Sequence, residues 1–317
     1  SNKINWYSKV YYIGYSGYFL TTFLGGMITV KLFSLRGGIL YSEAKKLTEY
    51  ISEMAPDMYK AYLQGNKDIL FLTGIVSLMA VVPVILIKER REDYKVTAPK
   101  EKLPFAKKAA LFRKAILNKY TVIYLLYWGL INFGMGLFTS YYTVFLNRNL
   151  HIDKATASFM VSLSYLALII FMLFTPYLVK KIGQVYTLGG VSLLSVPFML
   201  IIANGDKFGA LMIPVVGFAL FMRSGLVILS YPVDSSLSME IVDKELRPVF
   251  ATVINVVAGA ASVLSGWFTG NILFVTQEGY RTAYYIAAVF YGIACTILLV
   301  GLRKFNWSLS EDEEKES

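Results

Sequence analysis

Eight stretches of this chain are apolar for long enough to cross a bilayer, and that repetition limits the fold more than any other feature. They lie at about 10–33, 69–87, 120–146, 156–179, 185–203, 209–234, 249–275 and 281–302. A hydrocarbon core ~30 Å thick takes roughly 20 residues of helix, and every backbone N–H and C=O inside it must be paired within the protein. Charged residues are only 16% of the 317, whereas soluble domains carry about 25%. The expectation is an all-α polytopic membrane protein with about eight transmembrane helices.

The loops between these stretches hold most of the Lys and Arg that give a net charge of +10. Such clustering speaks for topology and anionic lipid at the cytoplasmic face, not for nucleic acid. Eight crossings put both termini on one side of the membrane. That side carries about 20 cations and the other about 10, so the positive-inside rule makes both termini cytoplasmic in a multi-pass cell-membrane protein. Ser1–Lys9 runs straight into the first apolar stretch, without the layout of a secretory signal. A single cysteine, Cys295, and a single histidine, His151, exclude an internal disulfide and a Cys- or His-rich metal site. No span pairs two carboxylates for acid–base work and no Walker-type phosphate loop occurs, so neither an enzyme nor a cofactor is expected.

One residue breaks the apolar pattern. In Lys207–Asp234, Arg223 stands near the centre of a run that otherwise reads as a single helix. At ~1.5 Å per residue it lies roughly 20 Å from either end, near the midplane. A guanidinium there costs about 2.5–3.5 kcal/mol on insertion scales, so it should face protein or a watery cavity and needs a partner. Asp234 is eleven residues on, three turns away, and no other span has an acid in its apolar core. The partner must be a ligand, a neutral polar group or an acid elsewhere.

Taken in order, the first span carries Tyr15, Tyr18, Thr22, Gly25 and Thr29 at helical spacing, a small and polar stripe suited to close packing or to lining a cavity. In the 34–68 loop, Leu47, Tyr50, Ile51 and Met54 mark a short amphipathic helix expected to end at Pro56. After the second span comes a basic linker, residues 88–119. Within it Phe105, Leu111, Phe112 and Ile116 share one face of a helix expected to lie on the membrane surface. It divides the chain into a two-span part, 1–87, and a six-span part, 120–303, followed by an acidic tail, 304–317, expected to be disordered. In the six-span part, polar stripes occur on the third span (Trp128, Asn132, Thr139), the fourth (Ser158, Ser162, Tyr165) and the seventh (Thr252, Asn255, Gly259, Ser262). The fifth and eighth spans are uniformly apolar. Four polar helices including the one with Arg223 point to a shared aqueous cavity.

This pattern resembles the major facilitator superfamily of secondary transporters, two six-helix halves joined by a long cytoplasmic loop. The resemblance makes 1–87 the last two helices of the first half and 120–303 the second half, with the first four helices missing from this sequence. Local motifs are degraded. Pro176–Val185 is similar to the family's Gly-x-x-x-Asp-Arg-x-Gly-Arg-Arg turn, with Lys181 and Gly183 matching and Pro176, Lys180, Gln184 and Val185 departing. Glu240 and Arg247 have the Glu-x6-Arg spacing of sugar-porter-type members. The first span keeps Gly17, Gly25 and Gly26 of the drug-antiporter motif but has Thr21-Thr22 in place of its Gly-Pro.

The resemblance implies secondary active transport of a small polar or anionic solute, sugar-like or an organic anion, by alternating access. Alternatives are efflux of hydrophobic compounds, or a membrane sensor or partner fragment that transports nothing. The expected substrate residues are Arg223, Trp128, Asn132, Tyr165, Asn255 and Tyr15. Gating falls to Lys180, Lys181, Gly183, Glu240 and Arg247. Coupling to a proton or cation falls to Asp234 or to the missing helices.

Overall fold

The computed structural model describes residues 2–86, 113 and 116–307. Most of the basic linker with its expected surface helix, and the tail beyond Trp307, lie outside the described residues. Within them the chain is helical almost throughout, and no strand occurs. Seven of the described helices are long and apolar enough to cross a membrane: Ile13–Gly37, Lys119–Arg148, Lys154–Met172, Tyr186–Ala203, Gly205–Glu240, Arg247–Leu273 and Gly279–Gly301.

Residues 2–86 form α1 (Asn2–Gly37), α2 (Tyr41–Leu47), α3 (Pro56–Met79) and α4 (Val81–Leu86). The expected second span falls in α3 and α4, which are not among the seven. Helix α3 begins well before the apolar run, so its first half carries Asp57, Lys60, Lys67 and Asp68, and the helix is interrupted at Ala80. Pro56 opens α3 instead of ending the loop helix. A proline at the first helical position loses no hydrogen bond, because that N–H has no intrahelical partner anyway. Arg36 grips Asp68 through two bonds of 2.8 and 3.0 Å, tying the end of α1 to α3.

The six-span part comprises α5 (Lys119–Phe138), α6 (Tyr142–Arg148), α7 (Lys154–Met172), α8 (Thr175–Ile182), α9 (Val191–Ala203), α10 (Met212–Leu229), α11 (Tyr231–Glu240), α12 (Arg247–Phe268) and α13 (Gly279–Gly301). Helix α7 packs on α10, α10 on α9, α9 on α13, α13 on α5, and α5 on α12. Asn118 and Asp153 cap α5 and α7, accepting from the N–H of Tyr120 at 3.1 Å and of Thr156 at 3.0 Å. The long span Gly205–Glu240 breaks at Ser230, two residues before Pro232, which cannot donate into the ladder. One core fills the bundle, and its largest fully buried side chains include Tyr124, Tyr127, Tyr284, Tyr291, Phe138 and Phe145.

The two parts meet along α1 and α7. The close approach is at Gly26, next to the expected stripe and not in it: a side chain there would collide with Ser158, so glycine lets the backbones approach, while Gly25 has open space around it. At the end of the spans that holds α2, buried Thr48 is held from across the joint. Its hydroxyl accepts from the Lys154 N–H at 3.1 Å, and its carbonyl accepts from the Asn147 amide. Lys154 Nζ reaches Asn66 Oδ1 at 2.6 Å and the Tyr62 hydroxyl at 3.1 Å, while Lys45 faces Asp153 at 3.6 Å. Tyr50 stacks on His151 with 4.8 Å between ring centroids.

Candidate functional site

Arg223 sits at the middle of Gly205–Glu240 and is 4% exposed. Its neighbours on the turns either side, Gly217, Leu220, Ser224 and Val227, are buried or nearly so, which puts this face of α10 inside the bundle. Two tyrosine hydroxyls take its guanidinium: Nη1 donates to Tyr142 and Nη2 to Tyr291, each at 2.8 Å. The charge also lies 4.7 Å from the Phe138 ring centroid and 5.8 Å from that of Tyr291. Its Nε is buried with no partner, and among the described residues no carboxylate stands within ion-pair distance. The cation is therefore solvated by phenol oxygens and ring faces, with no carboxylate to neutralise it among the described residues.

Roughly 16 Å further along the span, by helical rise, a second buried ionisable group appears. Asp234 is 8% exposed, and its carboxylate accepts from the Tyr124 hydroxyl at 2.6 Å. Tyr124 is flanked by Tyr127 at 6.2 Å and lies parallel to the Trp128 ring at 6.4 Å. A buried cation and a buried acid thus share one span, each held by tyrosines from α5, α6 or α13.

The other expected substrate residues divide into three places. Asn132 lines a cavity of about 310 Å3 between α5 and α12, together with Thr139, Ser140, Ser262 and Ser265. Its side-chain amide is spent on the Trp128 carbonyl at 2.8 Å, and the indole Nε1 of Trp128 is buried without a partner among the described residues. Tyr165 stacks on Tyr18 at 5.6 Å, and Tyr15 follows Tyr18 at 6.4 Å, so these two belong to the α1–α7 joint. Asn255 lies on an exposed face of α12 that none of the described helices covers, with Thr252, Val256 and Gly259. Arg223 is not among the residues lining the Asn132 cavity.

The expected gating residues collect around one turn. Gly183 closes α8 at φ +85°, a left-handed conformation that favours glycine, and a side chain on it would strike Asn306. Asn306 clamps this turn: its Nδ2 donates to the Ile182 carbonyl at 3.0 Å, its Oδ1 accepts from Tyr186 N–H at 3.0 Å and its carbonyl from Gln184 N–H at 2.9 Å. Glu240 accepts from Gln184 Nε2 at 2.7 Å and from the Ser236 hydroxyl at 3.3 Å. Arg247 donates to the Met239 carbonyl at 2.9 Å, and Lys181 lies over the Tyr177 ring at 5.9 Å. Gln184, read as a departure from the family turn, is the residue that joins the turn to Glu240.

Residues 69–266 match the Major Facilitator Superfamily family model, well over half of the chain. The chain belongs to the Major Facilitator Superfamily. No curated protein matches it. Members of this superfamily are membrane transporters of small-molecule solutes, and this multi-pass chain is one of them. Three partners of its buried charges escaped the sequence reading: Tyr142, Tyr291 and Tyr124. They are three of 23 tyrosines, and none carries a local signal that separates it from the rest.

Proposed function

We propose that this superfamily member moves a small solute with an anionic group by secondary active transport, and that Arg223 is where the anion binds. The observation that carries the reading is a mid-span guanidinium whose hydrogen-bond partners among the described residues are neutral. Two phenol hydroxyls can yield to a carboxylate or phosphate oxygen, which gives a shorter, stronger charge-assisted bond. The hydroxyl-rich cavity at Asn132 does not include Arg223, so it carries no part of this assignment. A fixed positive charge on the path disfavours the lipophilic cations that drug exporters remove.

Alternating access would rock the six-helix bundle against the part that contains α1 and α3, with the Thr48–Lys154 contacts opening and the Gly183–Glu240 region closing in turn. In this reading Glu240, Arg247, Lys180 and Lys181 exchange partners as the turn moves. Asp234 is the group that takes up and releases a coupling proton, since Tyr124 is a single neutral donor and leaves the carboxylate free to be protonated.

The test is uptake into proteoliposomes holding the full chain, using lactate, citrate, gluconate, inorganic phosphate and glucose as probes. Wild-type protein is expected to accumulate at least one anionic probe and Arg223→Ala to lose that uptake by tenfold or more. Glucose alone being carried, or full anion uptake by Arg223→Ala, overturns the assignment.

A further inference from the structure

A cavity of about 410 Å3 lies between α8 and α11, and neither Arg223 nor Asp234 lines it. Met172, Val179 and Pro232 contribute to walls that are mainly apolar, and Lys180 and Trp307 line it as exposed residues. It sits at the end of the spans where the Gly183 turn, Glu240 and the residues after α13 come together. At the end of a membrane span the surrounding molecule with a matching apolar part is lipid, and a Trp beside the opening is the usual interfacial residue.

The charge at this cavity is specific. Lys181 is placed over the Tyr177 ring and Lys304 over the Tyr120 ring at 3.6 Å. Lys180 Nζ has neither an ion pair, a ring contact nor a hydrogen bond among the described residues. It is the lining cation left available to an outside anion. Lys181, Arg303 and Lys304 at the same end add an attractive field for negatively charged headgroups.

We propose that this cleft binds one anionic phospholipid, with an acyl chain along Met172, Val179 and Pro232 and the headgroup phosphate at Lys180. Such a lipid would fasten α8 to α11 beside the turn. The site is independent of the solute carried.

The experiment is native mass spectrometry of the delipidated full chain in detergent, titrated with phosphatidylglycerol or phosphatidylcholine of identical acyl chains. One phosphatidylglycerol per chain should be retained about fivefold more tightly than phosphatidylcholine, the equivalent of ~1 kcal/mol for one lysine near the surface. Lys180→Gln should abolish that preference, while Lys181→Gln and Lys207→Gln, the latter at the opposite end, should keep it. Ser236→Trp, which fills the cleft, should weaken both lipids with helix content unchanged by circular dichroism; if it misfolds, Lys180→Gln decides. Three results overturn the proposal: equal retention of the two lipids by wild type, an equal loss in Lys181→Gln or Lys207→Gln, or displacement of the lipid by inorganic phosphate at matching concentration.

Discussion

Replacing Arg223 by methionine separates a cation kept for function from one kept for structure. Removing the guanidinium from the midplane recovers about 3 kcal/mol of insertion cost. Against this stand the two bonds to Tyr142 and Tyr291, each worth ~0.6 kcal/mol by in-membrane double-mutant cycles. The ring contact to Phe138 at 4.7 Å adds a loss of about 2 kcal/mol for a desolvated pair. Gain and loss cancel to within about 1 kcal/mol, so Arg223→Met should unfold at nearly the wild-type midpoint. Tyr291→Phe does the reverse: it leaves the charge in place with one bond fewer beside an Nε that already has none. It should cost about 1–3 kcal/mol. Unfolding in mixed micelles, followed by circular dichroism, reads both. If Arg223→Met loses more than about 4 kcal/mol while Tyr291→Phe stays neutral, the arginine is a structural strut and the anion-site argument fails.

Further expectations concern single residues. Gly26→Val should drive α1 off Ser158 and destabilise the joint by about 1–3 kcal/mol, as overpacking does, measured by the same unfolding assay. Gly183→Ala combines φ +85° with a collision against Asn306 and should lower the unfolding midpoint by ~2 kcal/mol or more; a neutral result would mean that the turn relaxes freely. Asp234→Asn should keep solute exchange across proteoliposomes but lose accumulation driven by a proton gradient by about tenfold, and retained accumulation would remove Asp234 from coupling. Thr48→Val deletes the acceptor for the Lys154 N–H and should raise labelling of a cysteine placed at Asn66 by a soluble maleimide, since native Cys295 is buried and silent.

Much of the architecture was readable from the chain because lipid permits so few backbone solutions: long apolar runs become helices. The stripe on the first span is one position off: the glycine at the close approach is Gly26, against Ser158, while Gly25 has open space around it. Arg223 stood out because of that same lipid, as a cost that needs a cause. What could not be read is who answers it. Tyr142 and Tyr291 are 81 and 68 residues away, and Tyr124 is 110 from Asp234. Periodicity reports one helix at a time and says nothing of which helices become neighbours. The loop helix differs for a related reason: it stops at Leu47, leaving Tyr50, Ile51 and Met54 beyond it, and Pro56 starts α3, whose apolar Ala61 and Tyr62 find a core against Val30 and Phe33.

The clamp on the Gly183 turn has a consequence for how the protein is made. Asn306 is 120 residues downstream of Tyr186, whose N–H it receives. At a synthesis rate of ~5–20 residues per second, the ribosome supplies it roughly 6–24 s after the turn has left the tunnel. Until then Gln184 and Ile182 have backbone groups waiting at the membrane surface for a partner not yet translated. The bundle is therefore stitched closed by a segment made long after the turn it fastens, and a stall in translation before that point would leave the middle of the molecule unfastened.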